Sequence, residues 1–341
     1  MKRLLFSALL IMLCLAGFAA ENNDSVKKEK IPYLPKVGGV LRARWEMETD
    51  GGLNRFELRN ARVNLSGRIG EPIDYYLQAD FCDEGKIKFL DGWVRLRPFK
   101  GLFVQAGQFR MPFGVDPFRG PATYLFANRS FIGRYICNVR AVGVKAGYSI
   151  PWLPLAVEAG VFNPTSITDH TVWTHQKSYA AKAVLTAGDF SIATGVQSLV
   201  PDSVRINLAD VAVTYHNGGW LAEAEYMYKH YTGSAHPACH SVNAVVDYGR
   251  AVRAGIFNWW SVQGRFDMQT AHSSGARGDD GRLYATQPSR RRITVGSTLS
   301  YILPAIHCDL RVNYEKYFYN HGEIIPAGAD DKLVAEIVLK F

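Results

Sequence analysis

The chain has 341 residues, of which 12% are aromatic and 21% charged, with 31 glycines and a formal net charge of +8. Its mean hydropathy is close to zero, and beyond the amino-terminal leader no stretch stays apolar for about 18 residues, which excludes membrane-spanning helices. A basic chain often meets nucleic acid, but the amino terminus reads as an export signal, so no nucleic-acid partner is expected.

That leader is MKRLLFSALLIMLCLAGFAA. Lys2 and Arg3 precede an apolar run from Leu4 to Leu15, and Gly17 and Ala19 fit the small-x-small cleavage rule, so residues 1–20 are expected to be a signal peptide. Removing Lys2 and Arg3 takes the formal charge from +8 to +6. Leu13 before Cys14 argues against a lipid-modified terminus. Residues 21–36 are polar and Pro-containing and read as a periplasmic lead-in. Residues 37–341 are expected to form the folded domain.

From Gly39 the pattern has a period of two, the mark of strands with one apolar and one wet face. Leu41, Ala43, Trp45 and Met47 oppose Arg42, Arg44, Glu46 and Glu48. After a turn at Asp50–Gly52, strand two runs from Phe56 to Ile69, with Ala61, Val63 and Leu65 opposing Arg62, Asn64 and Arg68. Tyr75 to Phe81, Lys88 to Leu96 and Leu102 to Phe109 continue the series. Between Met111 and Asn138 the alternation stops, and a connection this long is usually functional. Ten further strands follow: Val142 to Ile150, Leu155 to Phe162, Ser178 to Thr186, Phe190 to Ser198, Leu208 to Tyr215, Trp220 to Tyr231, Ser241 to Tyr248, Phe257 to Met268, Ile293 to Ile302 and Cys308 to Tyr319. Lys332 to Phe341 closes the count at sixteen. Its apolar positions Leu333, Ala335, Ile337 and Leu339 end on Phe341, as the closing strand of an outer-membrane barrel does.

Connections support the same reading. Short ones (GEPI, RPFKG, the PWLP region, TAGD, HNGG, LPAI) separate longer ones at Met111–Asn138, Asn163–Gln176, Thr232–His240, Ala271–Arg292 and Asn320–Asp330. Short periplasmic turns and long external loops characterise transmembrane β-barrels. The predicted class is therefore an all-β, antiparallel transmembrane barrel of about sixteen strands. Cys82, Cys137, Cys239 and Cys308 are widely spaced and read mostly as wall or loop residues, with one bridge between loop cysteines left open.

From Ala61 the sequence becomes recognisable. ARVNLSGRIGEPIDYYLQADF (61–81) and KFLDGWVRLRPFKGLFVQAGQFRMPFG (88–114) resemble the phosphate-selective porin O and P family. So do NRS at 128–130, RAVGV at 140–144, GVFNP at 160–164, NWWSVQGRFD at 258–267 and VGSTLSYILPAIHCDLRVNYE at 295–315. The resemblance implies a sixteen-stranded, usually trimeric outer-membrane porin with a third loop, here 111–138, folded into a cationic lumen. Two positions depart from the family pattern: Asn128 stands where an acid usually precedes Arg-Ser, and Ala141 where an acid follows Arg140.

Guanidinium groups suit oxyanions because the planar fork bonds bidentately and stays charged. The candidate anion-binding residues are Arg42, Arg44, Arg62, Arg68, Lys145, Lys182 and Arg311 on lumen parity, with Arg119, Arg129 and Arg134 in the inserted loop. Arg265 shares that parity. The opposing reading pairs these cations with Glu46, Glu48, Asp74, Asp80, Asp91, Glu158 or Asp267 across the lumen. His230, His236, Cys239 and His240 form a loop cluster matching no standard zinc spacing. Arg277-Gly278-Asp279 resembles an integrin tripeptide, and Asp169, His170 and His175 are the one rim group resembling catalytic residues. No cofactor or enzymatic activity is expected. The expected function is passive diffusion of small anions, phosphate or another oxyanion first. A general diffusion porin and a surface adhesin remain the alternatives. Expected partners are the anionic solute, outer-membrane lipid and lipopolysaccharide, and two further copies in a homotrimer.

Overall fold

The computed structural model describes residues 34–341, apart from 84, 138–139, 165–172, 203, 321–324 and 326–327. The leader and most of the lead-in therefore lie outside the described residues, as do Asp169 and His170.

Sixteen antiparallel strands form one closed barrel. They are β1 (Lys36–Glu48), β2 (Asn54–Ile69), β3 (Ile73–Asp83), β4 (Lys86–Phe99), β5 (Leu102–Arg110), β6 (Arg140–Ser149), β7 (Leu155–Phe162) and β8 (Ser178–Ala187) in the first half. The second half contains β9 (Phe190–Leu199), β10 (Ile206–Asn217), β11 (Trp220–Tyr231), β12 (Cys239–Ala254), β13 (Phe257–Gln269), β14 (Arg290–Ile302), β15 (His307–Tyr319) and β16 (Lys332–Lys340). Each strand pairs with its sequence neighbours, and β1 pairs with β16 from Val40↔Lys340 to Glu48↔Lys332. Closure leaves no strand edge unpaired in lipid, where an unsatisfied backbone amide is very costly. The seam ends on a pair of hydrogen bonds: Gly39 N–H donates to the Phe341 carbonyl at 2.8 Å, and Phe341 N–H donates to the Gly39 carbonyl at 3.2 Å. A Cβ on Gly39 would lie 2.5 Å from the Phe341 ring, so the seam requires glycine there.

The alternation read from sequence sorts the side chains as expected. Outward positions such as Phe56, Val144, Val196, Val262, Val295 and Ile337 are exposed and apolar. Inward positions such as Arg42, Arg44, Asp80, Glu223, Arg265, Arg292 and Glu336 are buried and polar. Near the short turns, Phe190–Tyr215 and Trp220–Tyr248 ring pairs form part of an aromatic belt, as barrel walls present to the membrane interface. Two connections at the loop end are shorter than the rest, β1–β2 and β3–β4.

The interruption after β5 turns into the barrel. It contains 3₁₀ turns at Asp116–Phe118 and Pro121–Thr123 and a π turn at Ile132–Ile136. Phe113, Ile132 and Ile136 are buried in a cluster with Phe162, Leu208, Met227 and Tyr231 from the inner wall. This apolar seam explains the absence of alternation: the loop must bury side chains on one flank and present polar ones on the other.

Two sequence expectations change. Cys239 and His240 belong to β12 rather than to a loop. Cys239 is buried, whereas His240 is exposed with its ring nitrogen 2.7 Å from the Tyr226 hydroxyl, so strand parity separates the supposed metal cluster onto two faces of the wall. The four described cysteines are all free.

Candidate functional site

The inward loop is strapped between two walls of opposite charge. On one side, wall arginines take its backbone carbonyls in succession. Arg311 donates to Tyr124 O at 2.8 Å, Arg42 to Ala127 O at 2.6 Å, Arg265 to Asn128 O at 2.8 Å and Arg292 to Arg129 O at 2.7 Å. On the other side, wall acids hold its first turn. Glu225 accepts from the Val115 and Asp116 amides at 2.7 and 2.9 Å, and Glu223 receives both terminal nitrogens of Arg119 at 2.8 and 2.6 Å. Lys182 donates to the Gly114 carbonyl and lies over the Phe118 ring.

Above the strap, toward the long loops, is a cavity of ≈ 480 Å³. Its lining carries seven cations (Arg44, Arg55, Arg129, Arg134, Arg290, Arg292 and Lys332) against two carboxylates, Glu46 and Glu48. Below the strap, a second cavity of ≈ 480 Å³ has six (Arg62, Arg95, Arg110, Arg140, Lys145 and Lys340) against the Asp91 side chain. Tyr124 sits in the loop between the Ala122 lining of the lower cavity and the Asn128 lining of the upper one. Burial alone would raise its phenol's pKa, but Arg129, Arg110, Arg62 and Arg42 together pull it below the usual tyrosine value. That response reports a positive potential at the strap itself.

The ten candidate residues divide into three groups. Arg42 and Arg311 are corrections: each is 2% exposed, and both are paired to Glu336 and bonded to the loop backbone. They position the loop and do not line a cavity. Arg119 and Lys182 are likewise engaged by the wall contacts above. Arg68 is also corrected, since it is exposed near the β2–β3 turn, 2.8 Å from Asp74, and lines neither lumen cavity.

The second group lines a cavity while paired. Arg44 bonds Glu57 at 2.6 Å and Asn128 Oδ1 at 2.7 Å, Arg62 reaches Asp80 at 2.7 Å and Lys145 reaches Glu158 at 2.6 Å. The third group is uncompensated. Among the described residues, Arg129 and Arg134 form no ion pair, and Arg129 Nε and Nη2 have no hydrogen-bond partner. Arg129 and Arg134 lie over the Tyr124 and Tyr135 rings respectively.

Sequence reading missed Arg290, which is buried between the Phe131 and Tyr135 rings with its Nε unpartnered. It also missed Arg110, whose guanidinium donates to the Pro117 and Arg119 carbonyls, and Arg95, which bonds Gln105 at 2.6 Å and stacks on Phe103. The Arg290-Arg291-Arg292 run was the available signal, because a strand must send two of three consecutive arginines to one face. At the departing motif position, Asn128 accepts from Arg44 and donates to Glu46 at 3.3 Å. A neutral amide thus bridges a cation and an anion where an acid could serve only the cation.

Residues 46–199, from the end of β1 through β9, match the sequence profile of phosphate-selective porin O and P. Among curated proteins, none matches the chain by sequence. Solved structures with a similar fold include OmpF of Salmonella typhi in complex with daunomycin, with TM-score 0.63 and 13% identity, covering 91% of this chain and 98% of that one. An anion-selective porin from Comamonas acidovorans gives TM-score 0.59 and 12% identity over 90% and 98% of the two chains. OmpT of Vibrio cholerae, in a trimer form, gives 0.59 and 12% over 90% and 99%. These identities speak for the fold alone. Over residues 46–199 the chain thus matches the phosphate-selective porin O and P family, and its closed sixteen-stranded barrel has the fold of outer-membrane porins.

Proposed function

We propose that this porin passes small anions, with phosphate or a similar oxyanion preferred, by passive diffusion past the cationic strap. The observation that carries the reading is the uncompensated set Arg129, Arg134 and Arg290 at the upper cavity, continued by Arg110 and Arg95 below. An anion entering from the loop side meets guanidinium groups that, among the described residues, are not tied into ion pairs, in a lining where cations outnumber the carboxylates Glu46 and Glu48. Each offers a charge-assisted contact shared among several donors, so the ion can be passed on rather than trapped. The solved anion-selective neighbour is consistent with this reading, and the trimeric one with a homotrimer here. In this reading residues 1–20 are removed on export, and the protein is a channel without catalytic activity.

One observation favours a general diffusion porin instead. Arg42, Arg62, Arg119, Lys145 and Arg311 are each paired to a carboxylate, which removes much of the ladder the sequence suggested. Planar-bilayer recording in a salt gradient separates the two. An anion-selective reversal potential, with conductance blocked by low phosphate, is the expected outcome. A reversal potential near zero without block would leave a general porin.

A further inference from the structure

Strand register puts Tyr76 of β3 opposite Trp93 of β4, and both side chains line the lower cavity. Their rings stack with centroids 5.5 Å apart, 18° from parallel. Arg95 continues the stack on the same strand, its guanidinium 4.9 Å from the Trp93 ring centre and 4.3 Å from that of Phe103. Trp93 also packs on the apolar cluster that seats the loop, and the loop contributes Phe118, 37% exposed, to the same cavity. The inside of a barrel is ordinarily polar. Inorganic phosphate, hydrated on every side, has no apolar face to lay against these rings, so it leaves them unexplained.

Charge in this cavity is nearly all committed. Arg62, Arg140, Lys145 and Lys340 are paired to Asp80, Asp91, Glu158 and Asp309. Arg110 holds the loop through the Pro117 and Arg119 carbonyls. Among the described residues Arg95 forms no ion pair, and Asp74, its register partner, is taken by Arg68 and Arg97 at 2.8 and 2.6 Å. Arg95 Nε and Nη2 both donate to Gln105 Oε1, at 3.0 and 2.6 Å. That grip fixes the plane of the guanidinium. It leaves the outer edge, Nη1 with the second Nη2 hydrogen, for an acceptor that can bridge both, as a carboxylate does. One such edge beside stacked rings suits a monoanion with a flat apolar body.

We propose that the lower cavity binds an aromatic carboxylate, with the carboxylate on the Arg95 edge and the ring against Tyr76, Trp93 and Phe118. The cavity of ≈ 480 Å³ falls within the about 300–1,000 Å³ of small-molecule sites. This rests on the passage of anions through the lumen and narrows it to a solute class.

The test uses the full mature chain in planar bilayers at about pH 7, where the carboxylates are ionised, with chloride carrying the current. Benzoate, cyclohexanecarboxylate, acetate or inorganic phosphate is added on the short-turn side. Benzoate is expected to reduce the current at a concentration about tenfold below that required of acetate or cyclohexanecarboxylate, the size of effect ring stacking supplies. Trp93→Leu is expected to bring benzoate block to the acetate level, and Arg95→Gln to weaken block by all three carboxylates several-fold. Heat-modifiable electrophoretic mobility reports whether each barrel is closed. If Trp93→Leu does not close, the wild-type comparison and Arg95→Gln decide. Anion selectivity and phosphate block, with benzoate no stronger than acetate or cyclohexanecarboxylate, overturn the aromatic site and leave the anion-passing reading standing. Benzoate block unchanged by both variants does the same. A reversal potential near zero with no block by any anion overturns both.

Discussion

Arg42 and Arg129 both lie over the Tyr124 ring, 5.1 and 5.5 Å from its centroid, yet they serve different purposes. Arg42 is saturated by Glu336, Asn60 and a loop carbonyl, so it contributes position and little free charge. Arg129 keeps two nitrogens without partners at the edge of the upper cavity. Arg129→Ala and Arg290→Ala are therefore expected to shift the reversal potential toward zero and weaken phosphate block several-fold, while Arg68→Ala leaves both unchanged. Bilayer recording of the three variants checks this. Glu336 makes the reverse case. It is the shared carboxylate of buried Arg42 and Arg311, and removing one partner of a buried pair typically costs on the order of 3–5 kcal/mol. Glu336→Ala should lower the denaturant midpoint of the detergent-solubilised barrel markedly, whereas Arg134→Ala, at an exposed site, should not.

The inward loop shows what an element can do that its residues cannot do singly. Its apolar flank, through Phe113, Ile132 and Ile136, seats it on the inner wall. Its backbone carbonyls then face arginines and its first amides face Glu225. Arg119 bound bidentately by Glu223 joins the loop's leading turn to β11. Arg119→Ala should free that turn without unseating the apolar flank. The expected result is noisier single-channel current with a broader distribution of conductance states, and still a closed barrel by heat-modifiable mobility. A quiet, unchanged channel would mean that the apolar seam alone fixes the loop.

At the scale of the whole molecule, the barrel is a device for holding charges of both signs on one lumen surface while covering the outside with apolar side chains. Selectivity from such a lumen is electrostatic and must fall with salt. The Debye length shrinks from about 10 Å at 0.1 M to about 3 Å at 1 M. The permeability ratio for chloride over potassium should accordingly approach unity as mean salt rises through that range, measured at a constant gradient. Closure is the other global property. Gly39→Val places a branched side chain where the Phe341 ring lies. It should reduce the fraction of chain that reaches the heat-modifiable barrel form.

Much of this was legible in the sequence. Period-two alternation gave sixteen strands, the inward and outward faces, and the one connection that had to do something other than connect, because a barrel wall repeats a local rule at every strand. The run of family motifs from Ala61 to Gly114 named the kind of barrel. Local rules could not say which lumen arginines are free. That depends on which carboxylate or carbonyl a guanidinium finds across hundreds of residues, as Arg42 finds Glu336 and Arg311 finds Tyr124 O. Parity places a charge inside the barrel. Only the closed tertiary structure, by bringing β1 beside β16 and the inward loop against both, decides whether that charge is neutralised or left to face the solute.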